Sequence, residues 1–217
     1  MKQKIRSYLV FTSRWYKIIM FIILPLLLPG FQIISSLVFQ GTAIPFIVMA
    51  LILVETLADN WFLGGIQEKG SEKIDYLKTS PRGMEIMRSV LIMDLVRRLV
   101  YHAVILGVSW LLTKSFGTSA EAGKLTGLGT LLLALGLSYT LSVVGIFIAR
   151  FASYIWVNLI CGYIGCIAGL VILLVCTSTT FVPVALPDIA LAVLGIGISF
   201  LMVKIAMLKV EGSYYDK

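Results

Sequence analysis

Apolar residues run along the chain in six long blocks, at about 18–38, 43–62, 90–113, 125–149, 153–176 and 187–208. Each approaches or exceeds the ~20 residues that a helix needs to cross a hydrocarbon layer. The pattern predicts six spanning helices with short connections. Pro25, Pro29 and Gly30 lie inside the first block and predict a kink there, which neighbouring helices can tolerate by re-satisfying the freed backbone groups. Ahead of that block, Lys2, Arg6, Ser13 and Lys17 recur at helical spacing, with Ile5, Leu9, Phe11 and Trp15 largely on other faces. Residues 1–17 therefore read as a basic amphipathic helix lying on a membrane surface. The charged stretch is too long for a signal peptide, and no small-residue cleavage site follows.

The one sizeable polar insertion is residues 65–89, GIQEKGSEKIDYLKTSPRGMEIMRS. Gly70-Ser71 can start a short helix with Ser71 as its N-cap, and Thr79-Ser80-Pro81 ends it. Ser80 then reads as the N-cap of the next helix, with Pro81 at its first position, where proline is favoured. A helix from Pro81 to Thr113 would be about 50 Å long, more than a bilayer's thickness, so its first turns must project or bend. Arg82, Glu85, Arg88 and Ser89 share one face of it, and Asp94, Arg97 and Arg98 fall on nearly the opposite face.

Composition agrees with this pattern. Of 217 residues, 59% are apolar and 13% charged, and the mean hydropathy is +0.99. A soluble protein this apolar could not cover its surface. Six spans leave no room for a separate soluble domain, so residues 1–217 read as one all-α membrane domain. The net charge of +7 would suggest nucleic acid in a soluble chain, but orientation explains it here. Of the 18 Lys and Arg residues, only Lys114 and Lys124 fall on the side opposite both termini. The positive-inside rule makes the other side, with both termini, cytoplasmic.

Candidate chemistry is sparse. Cys161, Cys166 and Cys176 share one apolar block without a CxxC pair and read as small buried residues. A single histidine, His102, rules out a multi-histidine metal site. Gly117 and Gly123-Lys124 have the wrong spacing for a phosphate-binding loop, and Leu125 stands where Ser or Thr is required. HExxH, GxSxG and paired-carboxylate signatures are absent from the sequence. The chain reads as non-enzymatic, without cofactor or metal of its own.

Ionisable residues inside apolar blocks are functional candidates, because each is costly there when unpaired. Glu55 and Asp59 lie one turn apart on the second block, and Asp94, Arg97, Arg98 and His102 lie on the third. Counting inward from the block edges puts Glu55 and Arg98 within roughly two turns of the same depth. The spacing thus predicts an ion network of Glu55 or Asp59 with Arg97 or Arg98, plus an Asp94–Arg98 i,i+4 pair. That network reads as structural, with movement during a transport cycle and interfacial snorkelling of the charges as the alternatives. His102 reads as a packed, hydrogen-bonded side chain. Gly162, Gly165 and Gly169 let another helix approach closely, either within the subunit or across a dimer.

The connection between the second and third blocks also carries a resemblance. Glu55 and Asp59, then Glu68-Lys69-Gly70, then Asp75-Tyr76-Leu77-Lys78-Thr79-Ser80-Pro81-Arg82 leading into a long span, resemble type-2 ABC transporter permeases. The nearest are their short members, which include exporters of phenol-soluble modulin-type toxin peptides. The resemblance implies a cytoplasmic coupling helix within loop 66–82, carried by Ser71, Glu72, Ile74, Asp75, Tyr76, Leu77 and Lys78. Ser80, Pro81 and Arg82 would form its hinge into the third span. It also implies a separate ATPase subunit that holds ATP and Mg, and a 2:2 complex built on a permease homodimer or a related permease. An amphipathic peptide would be the cargo, exported across a prokaryotic cytoplasmic membrane. Many relatives have a re-entrant turn before the last span, for which only Phe181 to Pro187 is free in this sequence. Other readings are the substrate-binding membrane subunit of a vitamin importer, or a non-transporting immunity or assembly protein.

Overall fold

The computed structural model describes residues 8–9, 12–38, 43–67, 79–116, 128–151, 155–178 and 185–215. Helix follows helix throughout these residues: α1 Arg14–Val38, α2 Ile44–Gln67, α3 Gly83–Phe116, α4 Leu128–Phe151, α5 Ile155–Ser178 and α6 Ala185–Tyr215. The chain is all-α in the described residues, and α1 and the Leu128–Ile146 part of α4 are long and apolar enough to cross a membrane. Shorter apolar stretches, Leu159–Val175 and Val193–Ile205, lie in α5 and α6.

Local chemistry sets the boundaries. Ser13 caps α1, its Oγ accepting from the Tyr16 N–H at 3.1 Å. Of the expected surface helix at 1–17, residues 1–7 and 10–11 lie outside the described residues, Thr12 and Ser13 are not helical, and residues 14–17 already belong to the helix of the first apolar block. Irregularity in α1 takes the form of a π turn at Ile19–Ile23, where the Leu24 N–H bonds back to the Ile19 carbonyl. Pro25 lacks an N–H and crowds the carbonyl four residues before it, and the widened turn absorbs both effects. The helix then continues through Pro29 to Val38.

Gln32, wholly buried on α1, ties that helix to the next one. Its Oε1 accepts from the Ala43 N–H at 2.9 Å, serving one of the orphan donors at the start of α2, and its Nε2 donates to Ser36 Oγ at 2.9 Å.

The long third helix begins two residues later than expected. The Gly83 N–H bonds the Ser80 carbonyl at 2.9 Å in a turn, and the Ile86 N–H makes the first helical bond, to the Arg82 carbonyl at 3.0 Å. Ser80, Pro81 and Arg82 form this turn rather than an N-cap and first helical residue. At the other end of the chain, α6 runs past the expected limit near Leu208 to Tyr215. Of the candidate re-entrant turn, 181–184 lie outside the described residues, and 185–187 are the first residues of α6.

Helix α2 forms the centre of the bundle, with Ile44, Ile47, Val48, Leu51, Ile52 and Ala58 buried. It packs on α5 and α4, while α4 also packs on α6 and α1 on α3. The outward faces of α1 and α5 are apolar: Phe21, Ile22, Leu26, Leu27, Ile34, Ile160, Ile164 and Ile167 are all exposed.

Gly162, Gly165 and Gly169 turn inward onto α2. A Cβ on Gly165 would stand 3.1 Å from Ile52 Cγ2, and one on Gly169 would stand 2.9 Å from Ile52 Cδ1 and 3.2 Å from Leu141 Cδ1. Gly162 faces Leu53 and Thr56 in the same way. The close approach left open in the sequence is thus occupied within the subunit. Gly169→Leu is expected to cost about 1–3 kcal/mol through overpacking. Thermal unfolding of the purified chain should show the loss, with its oligomeric state unchanged.

Candidate functional site

Helical spacing builds the site. Glu55 and Asp59 are one turn apart on α2, both buried, and they face the Asp94, Arg97 and Arg98 turn of α3. The structure brings all five residues together.

Arg97 makes a two-pronged contact with Glu55, Nη1 to Oε1 and Nη2 to Oε2, each at 2.8 Å, and Nη2 also lies 3.4 Å from Asp94 Oδ1. Arg98, fully buried, divides its three nitrogens among three acids. Nε donates to Asp94 Oδ2 at 2.9 Å, Nη2 donates to Asp59 Oδ1 at 3.0 Å, and Nη1 donates to Glu55 Oε2. Nη1 also donates to the Glu55 carbonyl oxygen at 3.2 Å. Only the planar, five-donor guanidinium can make such a junction; a lysine ammonium has no comparable fork.

Three tyrosines enclose the cluster. The Arg97 guanidinium carbon lies 5.6 Å from the Tyr16 ring centroid and 5.7 Å from that of Tyr101, a double cation–π contact. Tyr8 Oη donates to Asp94 Oδ1 at 3.3 Å and stands 3.1 Å from Tyr16 Oη. Burial, reinforced by the Asp94 carboxylate, pushes the Tyr8 phenol well above its ordinary range, so it remains a neutral donor.

The polar contacts continue beyond the acids. His102, one turn after Arg98, places Nδ1 3.0 Å from Ser138 Oγ on α4 and meets the Tyr139 ring edge-on at 6.2 Å. Ser138 Oγ donates to the Leu135 carbonyl, and Tyr139 Oη lies 2.9 Å from Ser199 Oγ on α6. Side-chain contacts therefore run from α2 through α3 and α4 to α6. Their chemistry is ion pairing and hydrogen bonding between helices.

The network's tyrosines had a signal that hydrophobicity hid. Tyr8, Thr12 and Tyr16 recur every four residues and are the buried side of the N-terminal stretch, whereas Leu9 and Trp15 are exposed. In the polar connection, Ser80, Pro81 and Arg82 form the turn into α3. Ser71, Glu72, Ile74, Asp75, Tyr76, Leu77 and Lys78 lie outside the described residues.

No family model, curated protein or solved structure matches the chain.

Proposed function

We propose that this chain is the membrane-spanning permease subunit of an ATP-driven exporter, with six spans and both termini in the cytoplasm. A separate ATPase subunit supplies the energy. The observation that carries the reading is the buried junction of Arg97 and Arg98 with Glu55, Asp59 and Asp94. It locks α2 to α3, the two helices flanking the single sizeable polar connection. A push on that connection would therefore be delivered to both helices at once.

Two further features support the reading. The exposed apolar faces of α1 and α5 suit lipid as the surrounding medium, because a water-soluble chain rarely presents such a continuous apolar surface. Paired charges are the form in which ionisable groups persist inside apolar helices. The cargo is an amphipathic or hydrophobic molecule, most naturally a peptide, taken across by alternating access of two such permeases.

Co-purification with a candidate ATPase in lipid nanodiscs tests the proposal. The expected result is a stable 2:2 complex whose ATP hydrolysis rises when amphipathic peptide is added. Failure of any ATPase to bind would favour a non-transporting membrane protein, such as one that sequesters a peptide.

A further inference from the structure

Four buried side-chain polar atoms have no hydrogen-bond partner among the described residues: Arg97 Nε, Tyr101 Oη, His102 Nε2 and Ser109 Oγ. All four belong to α3. They lie on one broad face, since residues 97, 101, 102 and 109 fall within about 140° of each other at 100° per residue. Tyr101 is 8% exposed, and His102 and Ser109 are fully buried.

The tautomer of His102 follows from its partner. Ser138 Oγ donates its one proton to the Leu135 carbonyl, so His102 Nδ1 carries the proton that bridges the 3.0 Å to Ser138 Oγ. Nε2 is then a bare lone pair in the interior. Ser109 Oγ likewise has no partner among the described residues. Arg97 Nε and Tyr101 Oη offer donors; His102 Nε2 requires one; Ser109 Oγ does both. An occupant must therefore donate and accept hydrogen bonds and fit between packed helices.

We infer that bound water occupies this face of α3, completing Arg97, Tyr101, His102 and Ser109. Water is the smallest molecule with both capacities, and buried water characteristically serves otherwise unsatisfied polar groups. A water-sized cavity lined by Asp94, Arg98, Val143 and Met202 adjoins the same helix, beside the ion cluster. Arg97 to Ser109 spans about 18 Å along the helix, more than half of a ~30 Å hydrocarbon layer. The hydrated face thus extends the polar interior from the ion cluster well into the apolar part of the bundle. The polar groups of a cargo could exchange with these waters without meeting bare hydrocarbon.

Hydroxyl-radical labelling of the purified chain in nanodiscs tests this, and it needs neither an ATPase nor a cargo. Radicals made from water by an X-ray pulse mark side chains that touch bound water even when bulk solvent cannot reach them. After correction for intrinsic reactivity, His102 is expected to be oxidised severalfold faster than Met20, which is equally buried but apolar. Equal rates for His102 and Met20 would overturn the inference. Ser109→Ala gives a second measurement. It lowers the unfolding temperature if Ser109 holds water, and a raised unfolding temperature, from removing an orphaned hydroxyl, would overturn the inference as well.

Discussion

Arg98→Leu should leave the chain barely able to accumulate in a folded state. The substitution removes the four hydrogen bonds that Arg98 makes to Asp94, Asp59 and Glu55. Arg97 would then be the one arginine left to face three buried carboxylates. Breaking a buried pair from one side costs about 3–5 kcal/mol, mainly because the stranded charge stays out of water. That is a large share of the 5–15 kcal/mol that typically separates folded from unfolded states. The measurement is the folded yield and unfolding temperature of the purified variant. Arg98→Lys should fall between the two, keeping the charge but losing the three-way fork.

Recovery tells what the cluster is for. Arg98→Met combined with Asp59→Leu and Asp94→Leu removes one positive and two negative groups and keeps the Glu55–Arg97 pair. Replacing buried charges by apolar groups of similar volume is often neutral or stabilising, so folding should return. If the proposed transport is then also present, the cluster serves architecture alone. If folding returns and transport does not, the junction takes part in the working cycle.

Much of this site was legible in the sequence because helix geometry is so regular. A four-residue separation fixes the face that Glu55 and Asp59 share, and the same rule pairs Asp94 with Arg98. Antiparallel neighbours of known rise then bring Glu55 and Arg98 to within roughly two turns of one depth, and the structure pairs them directly. What spacing cannot give is the division of labour between adjacent arginines. Arg97 lies against aromatic rings at the edge of the cluster and Arg98 is its hub, a difference set by which neighbour supplies each partner.

The N-terminal stretch misled for a related reason. Its Leu9 and Trp15 face outward, and its buried stripe is Tyr8, Thr12 and Tyr16, whose hydroxyls matter only once Asp94 and Arg97 are beside them. Gln32 is a similar case. A lone amide in an apolar block looks like an irregularity until the start of the next helix folds back onto it. The glycines of α5 carried the signal for close approach, but the identity of the approaching helix came from packing.

On the proposed exporter reading, replacing residues 71–80 with a Gly/Ser linker of equal length should abolish ATPase stimulation while leaving the helical bundle folded. A flexible linker transmits little force, because its ends move independently of any push along it. The bundle itself should be nearly indifferent, since the ion cluster, the Gln32 contact to Ala43 and the glycine packing on α2 all lie outside the replaced stretch. The unfolding temperature should therefore stay close to that of the parent chain, in contrast to Arg98→Leu. Hydrolysis and peptide transport should fall to the level of the ATPase alone. Retention of both would show that residues 71–80 are an ordinary solvated connection, and the partner's contact would have to be sought elsewhere. Loss of folding together with loss of stimulation would instead mark the segment as part of the bundle's own structure. The coupling assignment therefore stands only on the combination of an intact fold and a silent ATPase.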